Sequence, residues 1–355
     1  MTTVASAAFA APAQVTTGGV DTHLDVHVVA ALDAFGGVLG TSSFPTTAAG
    51  YRKLLVWLRS FGELGRVGVE GTGSYGAELS RHLTANGVTV IEVSRPNRQT
   101  RRRYGKTDVI DAIAAARAVM SGEASATPKT HDGSVEALRA LKVLQRSANK
   151  ARTQAMNQLR NLLVTAPDEL RSQLRNLKTK ALLETCRAFR VAANDDSLAG
   201  VTRFALRELA ERVEDLDSRQ AAIRTRMARL ATAAAPKLIA VHGVGPDVAT
   251  TLLLTAGDNP HRLKNESSFA ALCGSNPIPA SSGKTQRHRL NRGGDRQANA
   301  ALWRIVIVRL STDQRTKDYM AKRTSEGKSK TETMRCLKRY VAREVFAALP
   351  ITASP

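Results

Sequence analysis

The chain is poor in cysteine and in aromatic residues. Its three cysteines, Cys186, Cys273 and Cys336, lie far apart. That spacing argues against a disulfide framework and against a cysteine-based zinc site, and it favours a reducing cytoplasm. Aromatic residues make up 4% of the sequence, which disfavours a surface that stacks successive unpaired bases.

Long apolar runs are also missing. No segment of the sequence reaches the roughly 18 consecutive apolar residues of a membrane-spanning helix, so no membrane partner is expected. Residues 1–17 are small and apolar but have neither a basic segment nor a leucine-rich core. They predict a disordered tail and not a secretory signal.

Acidic residues are outnumbered, with 31 against 52 basic residues and a net charge of +21. An excess of this size indicates a polyanionic partner, most commonly nucleic acid. A ribosomal protein, or a basic protein with a merely solvated surface, remains an alternative on charge alone. The 355 residues suffice for two or three domains.

Residues 18–130 predict an α/β domain. Apolar alternation favours a first strand over "GGVDTHLDVHVVAALD" and a partner strand over "FGGVLGTSSFP". Two further short strands alternate with helices, over "RVGVEGTGSY" and "VTVIEVS". This order is typical of a sheet covered by helices.

The rest of the chain predicts mainly helix. Residues 131–234 have apolar positions at steps of three and four, which indicates an antiparallel pair of long helices and a coiled coil. A spacer or dimerisation arm is the simplest role for them. Residues 235–350 open with "PKLIAVHGVGPDVATTLLLTAGD", a pattern typical of a helix-hairpin-helix element that contacts phosphates through backbone N–H groups.

Four carboxylates stand out on the predicted elements. Asp21 lies in the first strand, Glu70 at the end of a middle strand, and Asp108 and Asp111 at the start of one helix. The spacing of three places the last two on one helix face, and Thr107 is suited to cap that helix. Converging carboxylate oxygens are typical ligands of Mg²⁺, and two such ions can assist phosphoryl transfer. Each acid alone has a structural explanation, such as stabilisation at a helix N-terminus.

A cationic segment precedes the last two acids. Arg101, Arg102, Arg103 and Lys106 lie immediately before Asp108. An ordinary salt-bridged helix start would explain this arrangement. The functional interpretation is that the cations hold a phosphate backbone beside the metal site.

The segments "GGVDTH", "VGVEGTGSYG" and "GKTDVIDAIAAARA" resemble the DEDD transposases of bacterial insertion sequences, the family that includes the pilin-gene invertase and bridge-RNA-guided recombinases. The C-terminal "GVGPDVATTLL" and "LCGSNPIPASSGKTQRHRLNRGGDRQANAAL" are similar to the second domain of that family. The resemblance implies a RuvC-like (RNase H-like) domain at 18–130, a coiled-coil region and a C-terminal transposase domain. It assigns the four carboxylates to the family's metal-binding positions, with Mg²⁺ as the ion and Mn²⁺ as an alternative.

The resemblance also implies a serine nucleophile that becomes covalently linked to DNA. Ser281 is the better match and Ser282 the alternative, because a single glycine follows where some relatives have two. Dense cations follow the serines and are typical of a phosphate-contacting surface: Lys284, Arg287, Arg289, Arg292 and Arg296. His288 among them is a conceivable general base, although a solvated role is the more common one.

The resemblance implies donor and target DNA and a structured noncoding guide RNA as partners. Because strand exchange needs several active sites and the helical arm offers an interface, a dimer or tetramer is expected. Two rival functions remain at this stage. A metal-dependent nuclease or junction resolvase would use water in place of the serine. A non-catalytic nucleic-acid-binding protein would use its acids only to pair with arginines.

Overall fold

The computed structural model describes residues 15–93, 107–130, 133–257, 263–284 and 288–350. The chain divides into two compact units. The first contains the described residues up to 130 together with Gly257, and the second contains the remaining described residues from 133 onwards. No helix in these ranges is both long enough and apolar enough to cross a membrane.

The first unit is built on a five-stranded sheet. Its strands follow the order β3-β2-β1-β4-β5, in which β1 is antiparallel to β2 and parallel to β4. β2 and β3 pair antiparallel, and β4 and β5 pair parallel. The strands are β1 (Val15–Thr22), β2 (Val26–Leu32), β3 (Val38–Pro45), β4 (Glu63–Glu70) and β5 (Thr89–Val93).

Two predictions for this region were wrong in detail. The single strand expected over residues 18–33 is a hairpin of β1 and β2, with Thr22 paired to His27 across the turn. The predicted tail ends too late, because Val15 already pairs with Glu63 of β4. Residues 1–14 of that tail lie outside the described residues.

Helices cover both faces of the sheet. They are α1 (Ala48–Arg59), α2 (Ala77–Ala85) and α3 (Asp108–Met120). Val20 and Val69 pack in one apolar cluster with side chains of α1 and α2. On the opposite face Val28 packs with Ala112 and Ala116 of α3. The mixed sheet with its flanking helices agrees with the expected RuvC-like α/β fold.

A largely buried row of aromatic rings joins β2, α1 and α2. The His27 ring stacks on Tyr51 with centroids 5.8 Å apart, and Tyr51 in turn contacts His82 at 5.9 Å. His27 is fully buried, and neither of its ring nitrogens has a hydrogen-bond partner among the described residues. Burial, assisted by the nearby charge of His23, lowers the pKa of His27 to about 4.

This pKa predicts an acid-sensitive first unit. The unfolded chain binds a proton at His27 near pH 6.5 and the folded chain only near pH 4, so stability is lost as the pH falls through that window. The free energy of unfolding should drop by about 3 kcal/mol, and His27→Leu should flatten the dependence. Urea denaturation followed by Trp57 fluorescence in a Trp303→Phe background, in the presence of a chelator, measures it. An unchanged pH slope in His27→Leu would contradict this assignment.

The second unit is helical. Two long helices, α4 (Ser134–Val164) and α7 (Leu198–Ala234), are connected through the short helices α5 (Asp168–Leu174) and α6 (Thr179–Arg187). Leu138 near the start of α4 packs with Met227 near the end of α7, whereas Leu159 packs with Leu206. The long helices are therefore antiparallel, although the two intervening helices replace the simple hairpin connection. The coiled coil itself stays a prediction.

The C-terminal part surrounds a second apolar core, which includes Phe269 and Leu302. A short helix, a turn and a second helix follow α7, as the sequence indicates, and the helix-hairpin-helix interpretation stays a prediction. The elements are α8 (Pro236–Ile239), α9 (Pro246–Ala256), α10 (Glu266–Leu272), β6 (Ile278–Pro279), β7 (His288–Arg289), α11 (Arg296–Thr312), α12 (Gln314–Ser325) and α13 (Lys330–Ala348).

Candidate active site

The ends of β1 and β4 bring two of the predicted acids to the same edge of the sheet. Val20 pairs with Val69, so Asp21 and Glu70 follow side by side. Because strand side chains alternate and the two valines face α1 and α2, the acids are placed on the face that α3 covers. The Thr22 hydroxyl donates to the Glu70 carbonyl oxygen at 2.8 Å and ties the two strand ends together.

Glycines let α3 lie directly on this face. A Cβ atom on Gly19 would stand 2.2 Å from the Ala112 carbonyl oxygen, and one on Gly68 would stand 2.8 Å from that of Ala115. Only a residue without a side chain permits so close a backbone approach. The first turn of α3 therefore lies at the end of β1.

The helix begins where the sequence predicts. The Thr107 hydroxyl accepts a hydrogen bond from the Ile110 backbone N–H at 3.3 Å, which is the expected N-cap. Asp108 and Asp111 both fall in the first turn, where the helix dipole favours negative charge. Asp108 is exposed and Asp111 is buried.

Three side chains converge at this point and form the carboxylate–histidine cluster: Asp21, His23 and Asp108. Their ligand atoms all lie within 4.8 Å of one another. The His23 Nε2 atom is 3.2 Å from an Asp21 carboxylate oxygen and 3.4 Å from one of Asp108. Asp21 has a side chain only 10% exposed, whereas the other two are about half exposed. The cluster is thus anchored in the sheet and open toward solvent.

The electrostatics of the cluster favour a bound cation. Burial raises the pKa of Asp21, and the charges of Asp111 and Asp108 raise it further. The charge and hydrogen bond of His23 oppose that shift. Concentrated negative charge in a partly dry position is costly without a counter-charge. The clustered acids therefore suggest the use of a divalent metal.

The donor set fits such an ion. Two carboxylates suit Mg²⁺ or Mn²⁺, and an imidazole is tolerated better by Mn²⁺ and other transition metals. Among the described residues, Glu70 and Asp111 are not members of the cluster, although Asp111 lies close enough to affect the pKa of Asp21. Asp21, His23 and Asp108 are the residues that would hold the ion.

His23 is a functional candidate that the sequence analysis missed. It follows Asp21 at a spacing of two, and residues two apart in an extended segment lie on the same side. The motif Asp-Thr-His at the end of a strand was the available signal. The motif was overlooked because a strand that continues to residue 33 would place Asp21 and His23 within the strand and not at its end.

The predicted serines lie in the second unit. Ser281 and Ser282 are exposed and follow β6, and Gly283 after them adopts a positive φ of 54°. The cations Lys284, Arg289, Arg292 and Arg296 are likewise exposed. Arg287, Arg101 to Arg103 and Lys106 lie outside the described residues.

A hydrogen-bonded clamp holds the chain that leads to the serines. The Asn299 side-chain amide donates to the carbonyl oxygens of Cys273 and Gly274, at 2.8 and 3.0 Å. Its own oxygen accepts from the Lys338 ammonium at 2.8 Å. Lys338 is buried, and burial lowers its pKa. The clamp therefore joins α11, α13 and the turn before β6.

Asn299→Asp should loosen this segment. The substitution keeps the shape and the Lys338 contact but replaces a donor with an acceptor facing two carbonyl oxygens. Leaving those groups unsatisfied costs roughly 1–3 kcal/mol. Hydrogen exchange over residues 273–284 should become faster, whereas the exposed control Asn161→Asp should leave the exchange rates unchanged. Unaltered exchange in Asn299→Asp would refute a role for the clamp.

Comparison with known families assigns an N-terminal and a C-terminal segment of the chain to the same transposase family. Residues 18–166 match the model of a DEDD transposase domain of the IS110 type, and residues 235–321 match that of the transposase IS116/IS110/IS902 family. No curated protein matches the chain. The two matches occur in the order expected from the sequence motifs and together span about two thirds of the chain. The chain belongs to the IS110 family of transposases and is a DNA transposase or recombinase.

Proposed function

We propose that this transposase cuts and rejoins DNA strands with a divalent metal and a serine nucleophile. The observation that carries the proposal is the convergence of Asp21, His23 and Asp108 within 4.8 Å at the end of β1. Glu70, at the end of β4, and Asp111, in the first turn of α3, complete the proposed set of four metal-binding acids. Mg²⁺ is the expected ion and Mn²⁺ the alternative.

The residues of the first unit would bind and orient the ion. When bound, the metal would polarise a phosphoryl oxygen and offset the negative charge that develops on it. Asp21 supplies a ligand fixed by the sheet, and Asp108 supplies one fixed by the capped helix start. Because Asp21 is mostly shielded from water, its attraction for a cation is strengthened.

Ser281 is the proposed nucleophile and Ser282 the alternative. The hydroxyl oxygen attacks phosphorus, a new oxygen–phosphorus bond forms, and the bond to the leaving sugar oxygen breaks. The serine proton is lost and the leaving oxygen gains one. The phosphodiester energy is conserved in the covalent link, so a second strand can be joined without ATP. Exposure of both serines supports access to DNA.

The remaining parts of the chain would handle nucleic acid and assembly. We assign residues 18–130 to the catalytic domain, 131–234 to a coiled-coil arm and 235–350 to the domain that carries the serine. The exposed cations after the serines would contact DNA phosphates, as would Arg101 to Arg103, Lys106 and Arg287. A structured noncoding RNA would guide site choice, and a dimer or tetramer would bring together the several sites that strand exchange needs.

Covalent trapping tests this function. The protein, its element ends, target DNA, the flanking RNA and Mg²⁺ are mixed, denatured and digested for peptide mapping. We expect a nucleotide-bearing peptide that Ser281→Ala abolishes and Ser282→Ala retains. The two variants are matched controls for each other, since both positions are exposed and adjacent.

The outcomes separate the mechanisms. An adduct lost only in Ser282→Ala would move the nucleophile by one residue. Cleaved DNA with free ends and no adduct would indicate hydrolysis by the acidic site and would refute the serine mechanism. The two transposase matches do not favour a non-catalytic binding protein.

A further inference from the structure

A cavity in the second unit is separate from both the carboxylate–histidine cluster and the serines. It has a volume of about 830 Å³ and is lined by α11, α12, α13 and the turn at His242. Arg315, Tyr319 and Lys322 face it from α12 at helical steps of four and three, which places them on one side of that helix. The volume lies in the range of small-molecule sites, so it can hold a nucleotide-sized group.

Two of the chain's five tyrosines meet in this cavity. The rings of Tyr319 and Tyr340 are edge to face, with centroids 5.7 Å apart and planes at 82°. Such a pair holds both rings in place. Tyr340 is nonetheless 49% exposed. In a chain so poor in aromatic residues, a fixed and exposed ring is a platform on which a base can stack.

The acidic residues of the cavity are already engaged. Glu344 accepts from Arg309 at 2.7 Å. Asp313 caps α12 by accepting from the Thr316 backbone N–H at 3.0 Å. Asp318 accepts from the Gln314 side chain at 2.7 Å.

Two cations that line the cavity are not engaged in ion pairs among the described residues. Arg315 and Lys322 are exposed and have no carboxylate partner in the part of the chain that the structure describes. Arg309 and Arg343, by contrast, are paired with Glu344 and Glu266. Unpaired cations beside an exposed aromatic ring match the two chemical parts of a nucleotide, its phosphates and its base.

We propose that this cavity binds an unpaired nucleotide, with its base on Tyr340 and its flanking phosphates at Arg315 and Lys322. The site goes beyond the proposed strand exchange and rests only on the chain's belonging to a DNA-handling family. The unpaired nucleotide can come from DNA or from RNA. Both offer the same base and phosphate chemistry, so the experiment distinguishes them.

Binding of short oligonucleotides to the full chain tests the proposal. The probes are single-stranded oligothymidylate, oligouridylate and a DNA duplex of equal length, titrated by fluorescence anisotropy between about 50 and 200 mM salt. Tyr340→Ala should weaken single-strand binding roughly 5-fold or more without changing the salt dependence. Tyr340→Phe should retain binding, and Phe35→Ala, which removes an exposed ring elsewhere, should have no effect.

The proposed phosphate contacts lead to a separate prediction. Lys322→Gln should lower the slope of log affinity against log salt by about 0.7, the value for one phosphate contact on a single strand. Lys317→Gln, on the same helix outside the cavity lining, is the matched control and should leave the slope unchanged. Thermal melting of each variant verifies that it is folded.

The single-stranded probe, DNA or RNA, for which Tyr340→Ala loses more affinity identifies the source of the nucleotide. A loss of affinity for either single strand supports the site. The proposal is overturned if folded Tyr340→Ala binds both single strands like the wild type. It is also overturned if Tyr340→Ala loses as much affinity for the duplex as for the single strands, because the contact is then with paired nucleic acid. All titrations are made in a chelator without added metal, so failure of the metal mechanism would not be mistaken for failure of this site.

Discussion

Asp21→Asn is expected to lower strand cleavage by about 10³-fold or more and to remove any covalent adduct. The substitution keeps the shape of the side chain but deletes the best-shielded ligand of the cluster. Loss of the several kcal/mol that a metal contributes to the transition state corresponds to a rate change of this size. The exposed neighbour Asp25 provides the matched control, and Asp25→Asn should remain active.

The same substitution should not destabilise the metal-free protein. The pKa of Asp21 is raised in the folded state, so the folded chain holds the proton more tightly than the unfolded chain, in which the pKa is about 3.9. The contribution of Asp21 to the free energy of unfolding is therefore greatest below about pH 4 and falls as the pH rises through the folded pKa. At neutral pH the ionised Asp21 lowers the free energy of unfolding, and the neutral asparagine side chain removes this unfavourable contribution.

Thermal unfolding with and without metal measures both effects. In a chelator, Asp21→Asn should melt at the wild-type Tm or above it. Added Mn²⁺ or Mg²⁺ should raise the Tm of the wild type, because a ligand that binds only the folded state stabilises it. The variant should show a much smaller rise. Normal cleavage by Asp21→Asn, or an equal metal-induced rise in Tm, would exclude Asp21 as a ligand.

Much of this site could be predicted because local rules and tertiary structure agree there. Thr107 follows the N-cap preference, and the spacing of Asp108 and Asp111 places both in one helical turn. Glu70 follows the short apolar segment of residues 67–69 and precedes Gly71, so its position at a strand end followed from the pattern. In each case the information lies within a few residues of sequence.

The features that were missed depend on distant partners. The segment His23 to Asp25 contains no Gly, Pro or Asn, and Asp25 is its one turn-favouring residue, so the local signal for the turn between β1 and β2 is weak. The hairpin is selected by pairing of β1 with both β2 and β4. Once Thr22 is known to end β1, Asp21 and His23 are placed on either side of a strand end.

Gly19 illustrates the same limit more strongly. A glycine in a strand signals a bulge or a close backbone approach, but the sequence does not say what approaches. The structure identifies Ala112 and Ala116 of α3, some ninety residues away in sequence. The alanine-rich composition of that helix is the complement of the glycine. Together they determine how near Asp108 comes to Asp21.

Gly19→Ala should therefore affect both stability and catalysis. The new methyl group would meet the Ala112 carbonyl oxygen at 2.2 Å and the Ala116 backbone nitrogen at 2.3 Å, so the helix must shift. Overpacking against backbone should cost about 3 kcal/mol, at the upper end of the usual range. A displacement of about 1 Å between Asp108 and Asp21 is enough to lower the rate about 10²-fold.

Gly245→Ala is the control for this experiment, because nothing lies within 4 Å of a Cβ there and its φ is not positive. It should be neutral or slightly stabilising, since alanine restricts the unfolded chain. Urea denaturation measures the loss of stability in Gly19→Ala. The rise in Tm on addition of metal measures separately how far the metal site is displaced. If α3 is displaced, metal should raise the Tm less than in the wild type even where the variant is fully folded. A folded Gly19→Ala with wild-type stability and an undiminished metal response would mean that contact between β1 and α3 does not set the geometry of the cluster.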